Sequence, residues 1–223
     1  MALEDLPSTL YDSFSRIGKA LSNAHRLRIL NIVCQGEYIV DDLAQKLGQS
    51  RANTSIHLKV LHQARMVKRR KEGRRVYYQI ASDQALRLWL SLRDTALAEL
   101  PEVRDLMRRY TDDPNKLSII EGDELIEKVA SGEVILVDLR PAKEYRSGHI
   151  PGARSLPITE LQDRIDELDD AQQVVAYCRG PYCLGEIRGV ARLREAGIDA
   201  YQAKESVLEW RARGLILEVG GQR

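Results

Sequence analysis

Two short apolar runs constrain the fold of the second half of this chain more than any other feature. They occupy residues 134–139 (VILVDL) and 174–177 (VVAY). Continuous apolar runs of this length are typical of strands that a parallel sheet buries on both faces. Because predicted helices alternate with these strands, we expect an α/β domain with a parallel sheet flanked by helices. The predicted helices span residues 122–131, 159–168, 184–196 and 206–213.

The first half has a different pattern, which predicts a mainly α domain with a β-hairpin. Gly48 is suited to end one helix and Ser50 to cap the next, so a three-residue turn separates them, as in a helix-turn-helix. Glu72 and Gly73 then mark a tight turn between two strands. Pro101 is expected to kink or divide the last helix. The predicted helices span residues 10–21, 27–33, 41–47, 51–64 and 83–110.

The two halves carry opposite net charges, although the whole chain has a formal net charge of only +1. Residues 1–112 hold 19 Lys and Arg against 13 Asp and Glu, and the remainder holds 15 against 20. A basic half joined to an acidic half suggests two domains, of which the first binds nucleic acid. A polar, helix-breaking segment begins at Asp112. We therefore expect a DNA-binding domain at 1–110, a linker at 111–117 and a second domain at 118–223.

The composition excludes several classes of protein. Hydrophobic residues make up 43% of the chain and charged residues 30%, as in ordinary globular proteins. No apolar run reaches the roughly 18–20 residues of a membrane span, and the first residues lack the layout of a signal peptide. The three cysteines, Cys34, Cys178 and Cys183, are too few for a disulfide scaffold. We expect a cytoplasmic protein with no membrane partner.

Basic and polar residues of the first half are the candidate contacts to double-stranded DNA. Basic side chains in the hairpin neutralise phosphates without reading sequence. The first turns of the second helix of the helix-turn-helix, at residues 51–64, are placed to read bases. Arg can form paired hydrogen bonds with guanine, and Asn can form them with adenine. Taken alone, any one of these residues is more typical of a solvated helix surface than of a contact to DNA. The candidate base contacts are Arg51, Asn53, Thr54, Ser55 and His57, and the candidate phosphate contacts are Lys68, Arg69, Arg70, Lys71, Arg74 and Arg75.

This half resembles the winged-helix core of the ArsR/SmtB family of bacterial repressors. The resemblance covers roughly residues 10–110 and rests on HRLRIL (25–30) and on VDDLAQKLGQSRANTSIHLKVLHQARMVKRRKEGRRVYYQI (40–80). It implies a homodimer that is joined through the first and last helices of the domain. It also implies that each recognition helix reads one half-site of a pseudo-palindromic operator.

The chain departs from this family at the positions that sense metals. Where many members carry a cysteine pair, this chain has Ile39 and Asp41, and neither replaces a thiolate for a soft metal. Other members use His on the last helix, and no His lies between residues 63 and 148. We therefore predict no metal and no cofactor. Cys34 is a redox candidate or a small buried hydrophobe.

Cys178 directly follows the second apolar run, in a short loop that leads into a predicted helix. Amide N–H groups of such a loop and the positive end of the helix dipole favour a thiolate, which makes Cys178 a candidate nucleophile. The same arrangement accepts an oxyanion or a bound sulfur. Cys183 is a redox partner of Cys178 or a thiol buried against the helix. The candidate anion-binding residues are Arg179, Gly180, Pro181, Tyr182 and Cys183.

The second half resembles a rhodanese (sulfurtransferase) domain over residues 118–223. VDLRPAKEYRSGHIPGARSLPI (137–158) is similar to the family's first motif, and the strand–CRGPYC–helix unit to its catalytic region. The resemblance implies that Cys178 forms a persulfide. It also implies that Asp138, Arg140, Glu144 and His149 hold the scaffold. Related phosphatases need an arginine where this chain has Leu184, which disfavours a phosphatase.

The two domains together predict a transcriptional regulator, which we expect to be a repressor. We expect its operator affinity to respond to sulfur or redox chemistry at Cys178. Its small-molecule partner is then a sulfane sulfur donor. One alternative is a thiosulfate or persulfide sulfurtransferase with an autoregulatory DNA-binding domain. Another is a regulator that senses an oxyanion without turnover. The residues leave open whether the second domain turns over or only senses.

Overall fold

The chain forms two compact units, which divide between Trp89 and Leu90, inside helix α5 (Asp83–Glu99). Among the described residues, no helix is both long enough and apolar enough to cross a membrane. The predicted linker at 111–117 lies outside the described residues, so the predicted domain limits stay predictions. The computed structural model describes residues 8–110, 119–120, 122–168, 173–180 and 183–221.

The first unit is a winged helix-turn-helix, as predicted. Its first four helices are α1 (Ser8–Leu21), α2 (Ala24–Val33), α3 (Val40–Leu47) and α4 (Arg51–Gln63). Helix α3 ends at Gly48, whose φ of 63° lies in the left-handed region that suits glycine. Ser50 caps α4, because its side chain accepts a hydrogen bond from the N–H of Asn53. The three residues between α3 and α4 are the predicted turn.

The wing is an antiparallel hairpin of β2 (Val67–Glu72) and β3 (Arg75–Ile80), and β1 (Tyr38–Ile39) pairs with the other edge of β3. The hairpin closes at Gly73, in the predicted turn. The sequence did not predict β1, because two residues are too few to show the alternation of a strand. Since β1 leads directly into α3, it ties the wing to the helix-turn-helix.

The helices of the first unit pack on an apolar core. Helix α2 contacts both α3 and α4, and the apolar side of each helix faces the others. The opposite side of α4 is left in solvent. The most deeply buried residues are Ile29, Leu30, Val33, Leu43, Leu58, Leu61 and Leu86.

The second unit is the predicted α/β domain. Its strands are β4 (Ile119–Ile120), β5 (Ile135–Asp138), β6 (Arg154–Ser155), β7 (Val174–Tyr177) and β8 (Ala200–Ala203). They pair in parallel in the order β4-β8-β7-β5-β6 within the described residues. Both strands predicted from apolar runs, β5 and β7, lie inside the sheet. The sequence missed β4, β6 and β8, which are short or contain polar residues.

The helices of the second unit follow the predicted pattern with one addition. Pro101 divides the predicted long helix, so that α5 ends at Glu99 and a new helix begins at the proline. The short α8 was not predicted. The helices after α5 are α6 (Pro101–Tyr110), α7 (Gly122–Ser131), α8 (Ala142–Ser147), α9 (Leu161–Arg164), α10 (Leu184–Glu195) and α11 (Val207–Ala212).

Strand β7 positions the cysteine loop, because both of its faces are buried. Val175 and Tyr177 belong to one apolar cluster, and Val174 and Ala176 belong to another on the opposite face. Burial on both faces is the physical reason for the apolar run that predicted this strand. Cys178 continues the second cluster, directly past the end of the strand.

A buried ion pair fixes the loop after β5. Nη2 of Arg140 lies 2.6 Å from Oδ2 of Asp138, and both side chains are fully buried. Arg140 also donates a hydrogen bond to the carbonyl of Gly148, at 2.8 Å. Nearby, the ring of His149 stacks on Tyr145, with 3.7 Å between ring centroids. These contacts support the predicted scaffold role of the first rhodanese motif.

We expect Arg140→Met to lower the free energy of unfolding by about 3–5 kcal/mol, because Asp138 then stays buried without its cation. Urea unfolding followed by circular dichroism measures the change. Arg164→Met is the matched control, since Arg164 is paired with Glu160 and Glu167 near the surface, where such a loss costs at most about 1 kcal/mol. Equal costs for the two variants would contradict the structural role of Arg140.

Candidate functional site

The exposed side of α4 carries two of the predicted base-reading residues, Arg51 and Ser55. Nε of Arg51 lies 2.9 Å from Oδ1 of Asp41, and both side chains are more than half exposed. An exposed ion pair of this kind contributes about 0–1 kcal/mol. The pair therefore does not hold Arg51 away from a base.

Two other predicted base-reading residues are engaged within the protein. Thr54 is 1% exposed, and its hydroxyl donates a hydrogen bond to the carbonyl of Ser50 at 3.0 Å. This burial does not favour a direct contact between Thr54 and a base, although the contact stays a prediction. The amide of Asn53 donates to Oε1 of Gln49 at 2.8 Å and is half-buried. This bond uses one of the two N–H groups of the Asn53 amide.

The remaining predicted residue, His57, faces the protein, and the sequence missed two exposed neighbours. The ring of His57 stacks on His25, with 5.6 Å between centroids, and burial lowers the pKa of His57. Ile56 is 62% exposed, and Lys59 is exposed beside it. An exposed apolar side chain on such a helix suits a thymine methyl group. In the sequence, Ile56 could not be distinguished from a core residue.

The predicted phosphate contacts of the wing are all exposed, but one of them is already paired. Arg70 lies 2.7 Å from Glu37 and 2.6 Å from Glu72, and its guanidinium covers the ring of Tyr77. Its positive charge is therefore largely balanced within the protein. The other predicted phosphate contacts, which are exposed, are Lys68, Arg69, Lys71, Arg74 and Arg75.

The second site is the loop between β7 and α10, where the structure brings two thiols together. Cys178 follows β7, and Cys183 is the N-cap residue of α10. Their sulfur atoms lie 2.8 Å apart. Cys178 is 4% exposed, whereas Cys183 is half-buried. The sequence left two positions open for Cys183, and in the structure it faces the sulfur of Cys178.

The hydrogen bonds around this pair favour a thiolate on Cys183. Its pKa is lowered to about 5, first by the hydrogen bond that joins it to Cys178 and then by amide N–H groups at Arg179 and in the first turn of α10. The hydrogen bond to Cys183, together with burial, raises the pKa of Cys178. The expected amide cradle therefore surrounds Cys183 among the described residues.

The other predicted loop residues have separate roles. Arg179 makes two short contacts with the buried carboxylate of Glu144, at 2.6 and 2.8 Å. Its guanidinium is therefore turned toward Glu144, while its amide faces the thiols. Gly180 has a φ of 133°, a conformation that favours glycine. Pro181 and Tyr182 lie outside the described residues.

Cys34 lies in the first unit, near the end of α2, and is 5% exposed. This burial is typical of a cysteine that packs as a small hydrophobe. In the part of the chain that the structure describes, no group of three or more His, Cys, Asp or Glu side chains is arranged to hold a metal ion.

Comparison with known proteins assigns both units. Residues 23–69 match the model of bacterial regulatory proteins of the arsR family, and residues 121–213 match the rhodanese-like domain. The HTH-type transcriptional regulator Rv0324 of Mycobacterium tuberculosis is 38% identical over 216 residues, which cover 97% of this chain and 95% of that protein. The chain belongs to the ArsR family of regulators. It is a member with a C-terminal rhodanese domain.

Other relatives of this ArsR-family regulator match its first half. The HTH-type transcriptional regulator CmtR of Mycobacterium bovis is 32% identical over 123 residues, which cover 55% of this chain and 88% of that protein. The homodimeric winged helix-turn-helix DNA-binding domain of Mb0332 from Mycobacterium bovis, a solved structure, is 34% identical. It covers 46% of this chain and 94% of its own, with a TM-score of 0.43.

We expect iodoacetamide to modify Cys183 before Cys178 in the reduced ArsR-family regulator at pH 7. A pKa near 5 keeps Cys183 ionised above that pH, so its labelling rate should rise through about pH 5 and then level off. An ordinary thiol gains reactivity near pH 8.5. Peptide mass spectrometry of timed samples gives both rates. A half-maximal rate for Cys183 near pH 8.5 would refute the lowered pKa.

Proposed function

We propose that this protein is a homodimeric DNA-binding repressor whose operator affinity is controlled by sulfur chemistry at Cys178. The observation that carries the proposal is the pair of sulfur atoms 2.8 Å apart at the end of β7. A second thiol at this distance gives a modified Cys178 a partner within the same loop. The regulator then has two chemical states, with Cys178 either modified or unmodified.

The first unit supports the DNA-binding part of the proposal. Exposed side chains on α4 are offered to bases, and the wing offers cations to phosphates. The apolar residues Tyr11 and Phe14 on α1 and Leu88 on α5 are exposed, at 56%, 55% and 39%. Exposed apolar side chains on these two helices fit a dimer interface. The related domain from Mycobacterium bovis is described as homodimeric.

The proposed chemistry begins with transfer of sulfur from an organic persulfide, R–S–SH. Cys178 passes its proton to the Cys183 thiolate and attacks the outer sulfur of the donor. The donor's S–S bond breaks, and its thiolate leaves with the bonding electrons and takes the proton from Cys183. The products are a persulfide on Cys178, a free thiol R–SH and a Cys183 thiolate.

A second step resolves this persulfide within the loop. The Cys183 thiolate attacks the inner sulfur of the Cys178 persulfide, a new S–S bond forms between the cysteines, and HS⁻ leaves with the bonding electrons. Two thiols are thereby oxidised by two electrons, and the transferred sulfur is reduced from the zero-valent state to sulfide. The sulfane sulfur donor is the oxidant, so no further reactant is required.

The last turns of α5 give this chemistry a route to the rest of the protein. Within the second unit, Nη2 of Arg93 lies 2.8 Å from Oε1 of Glu209. Nη1 of Arg93 would be 3.2 Å from a Cβ atom at Gly180. Arg93 therefore packs against the loop that holds both thiols. Because α5 continues into the first unit, a change in the loop acts on a helix that both units share.

The carboxyl groups around the loop favour sulfur chemistry at Cys178 over the sensing of an oxyanion. Arg179 is engaged by Glu144, and a further carboxyl group, Glu186, accepts a hydrogen bond from the N–H of Cys178. Neither arrangement offers an unbalanced cation to an oxyanion. The alternative of a sulfurtransferase is favoured by the rhodanese match, and it predicts repeated turnover with an external acceptor.

We expect an organic persulfide to change operator affinity at least tenfold in the wild-type protein and not in Cys178→Ser. A tenfold change requires a coupling free energy of about 1.4 kcal/mol. Fluorescence anisotropy with DNA from the upstream region of its own gene, at fixed salt, measures the affinity. Cys34→Ser is the control and should respond like the wild type. Equal affinities with and without the persulfide would overturn the proposal.

We expect Arg93→Gln to retain the sulfur chemistry of the loop and to lose the change in operator affinity. The variant should still form the Cys178 persulfide and the disulfide, as detected by mass spectrometry, while its operator affinity no longer changes with the persulfide. Arg87→Gln, on the same helix and exposed, is the matched control. A full response in Arg93→Gln would show that the signal does not pass through this side chain.

We expect the wing residues to differ in their contribution to DNA binding. Arg74→Ala should weaken binding to every sequence and lower the slope of log affinity against log salt by about one unit. Arg70→Ala should change this slope less, because Glu37 and Glu72 already balance the charge of Arg70. Anisotropy titrations at several salt concentrations measure both slopes. Equal losses would contradict this distinction.

A further inference from the structure

A buried carboxyl group lies beneath the two thiols and has no part in the chemistry described above. Glu186 is in the first turn of α10, three residues after Cys183, and is 1% exposed. Its Oε2 accepts a hydrogen bond from the N–H of Cys178 at 3.1 Å. Its Oε1 is buried and has no hydrogen-bond partner among the described residues.

The groups that face Glu186 differ in the form that they favour. The negative charges of Cys183 and of Glu209 on α11 favour its neutral form, whereas the N–H of Cys178 and the amide of Gln202 on β8 favour the carboxylate. The nearest cations of the loop are engaged elsewhere, since Arg179 pairs with Glu144 and Arg93 pairs with Glu209. Burial, followed by the negative charge of Cys183, raises the pKa of Glu186 well above its ordinary value.

Burying a carboxyl group in this position costs less free energy when the group is protonated. Burying an ionised carboxylate without a cation is strongly unfavourable, and a buried polar atom without a partner also costs free energy. A glutamine could accept the same hydrogen bond from the N–H of Cys178. What glutamine cannot do is hold an acidic proton next to a thiolate.

We propose that Glu186 is the proton donor for the sulfide that leaves when Cys183 attacks the Cys178 persulfide. This inference rests on the proposed function, because it assigns the proton of its second step. As the bond between the two sulfurs of the persulfide breaks, HS⁻ takes the proton of Glu186 and departs as H₂S. Glu186 becomes a carboxylate and regains its proton from water, which is left as hydroxide. Charge and hydrogen are thereby balanced, and a neutral product leaves the buried loop.

The test is Glu186→Gln in the full-length protein, mixed with an organic persulfide and quenched with an alkylating agent at timed intervals. Mass spectrometry measures the Cys178 persulfide and the Cys178–Cys183 disulfide in each sample. We expect the persulfide to form at the wild-type rate and to accumulate, because disulfide formation becomes about 100-fold slower. Glu195→Gln, at the exposed end of α10, is the matched control and should behave like the wild type.

The pH profile distinguishes a proton donor from a structural residue. In the wild type, disulfide formation should rise with pH as Cys183 ionises near pH 5 and fall as Glu186 loses its proton at higher pH. Glu186→Gln should retain the rise and lose the fall, and Glu186→Asp should restore it. Unchanged rates and an unchanged profile in Glu186→Gln would overturn the inference while the proposed function stands. Absence of any persulfide in the wild type would overturn both.

Discussion

The conformation of the cysteine loop depends on two buried carboxyl groups that hold it from different elements. Glu144, on α8, binds the guanidinium of Arg179, and Glu186, on α10, accepts the N–H of Cys178. Without these contacts, a loop that follows a buried strand would be free to turn its thiols apart. Carboxyl groups outside the loop therefore help to hold the conformation in which Cys178 and Cys183 lie side by side.

The two carboxyl groups differ in charge because they differ in partner. Glu144 faces a guanidinium at hydrogen-bond distance, which favours the carboxylate. Glu186 is buried and faces the negative charges of Cys183 and Glu209, which favour the protonated acid. One group therefore supplies a fixed ion pair, and the other supplies a proton. A glutamate side chain therefore forms an ion pair at Glu144 and acts as an acid at Glu186.

Both folds could be predicted because their strongest signals are local. Gly48 and Ser50 mark a turn by their backbone preferences, and the run VVAY marks a strand buried on both faces. The short strands β1 and β6 could not be predicted, because their pairing depends on residues distant in sequence.

The same limit applies to the candidate sites. The pattern of the loop predicted a reactive cysteine, but the direction of the amide groups decides which thiol is ionised, and a sequence does not contain that direction. Thr54 and Ile56 show the same difficulty, since their exposures are the reverse of what polarity suggests. Glu186 was missed because a glutamate in the first turn of a helix normally indicates an exposed, charged residue.

On the proposed mechanism, the loop changes both its charge and its shape. Disulfide formation removes the negative charge of Cys183, while burial still favours the protonated form of Glu186. The loop therefore loses one negative charge. The path of the backbone between the cysteines changes as well, where Gly180 packs against Arg93. Because interiors are closely packed, a displaced Gly180 must move Arg93 or break its contact with Glu209.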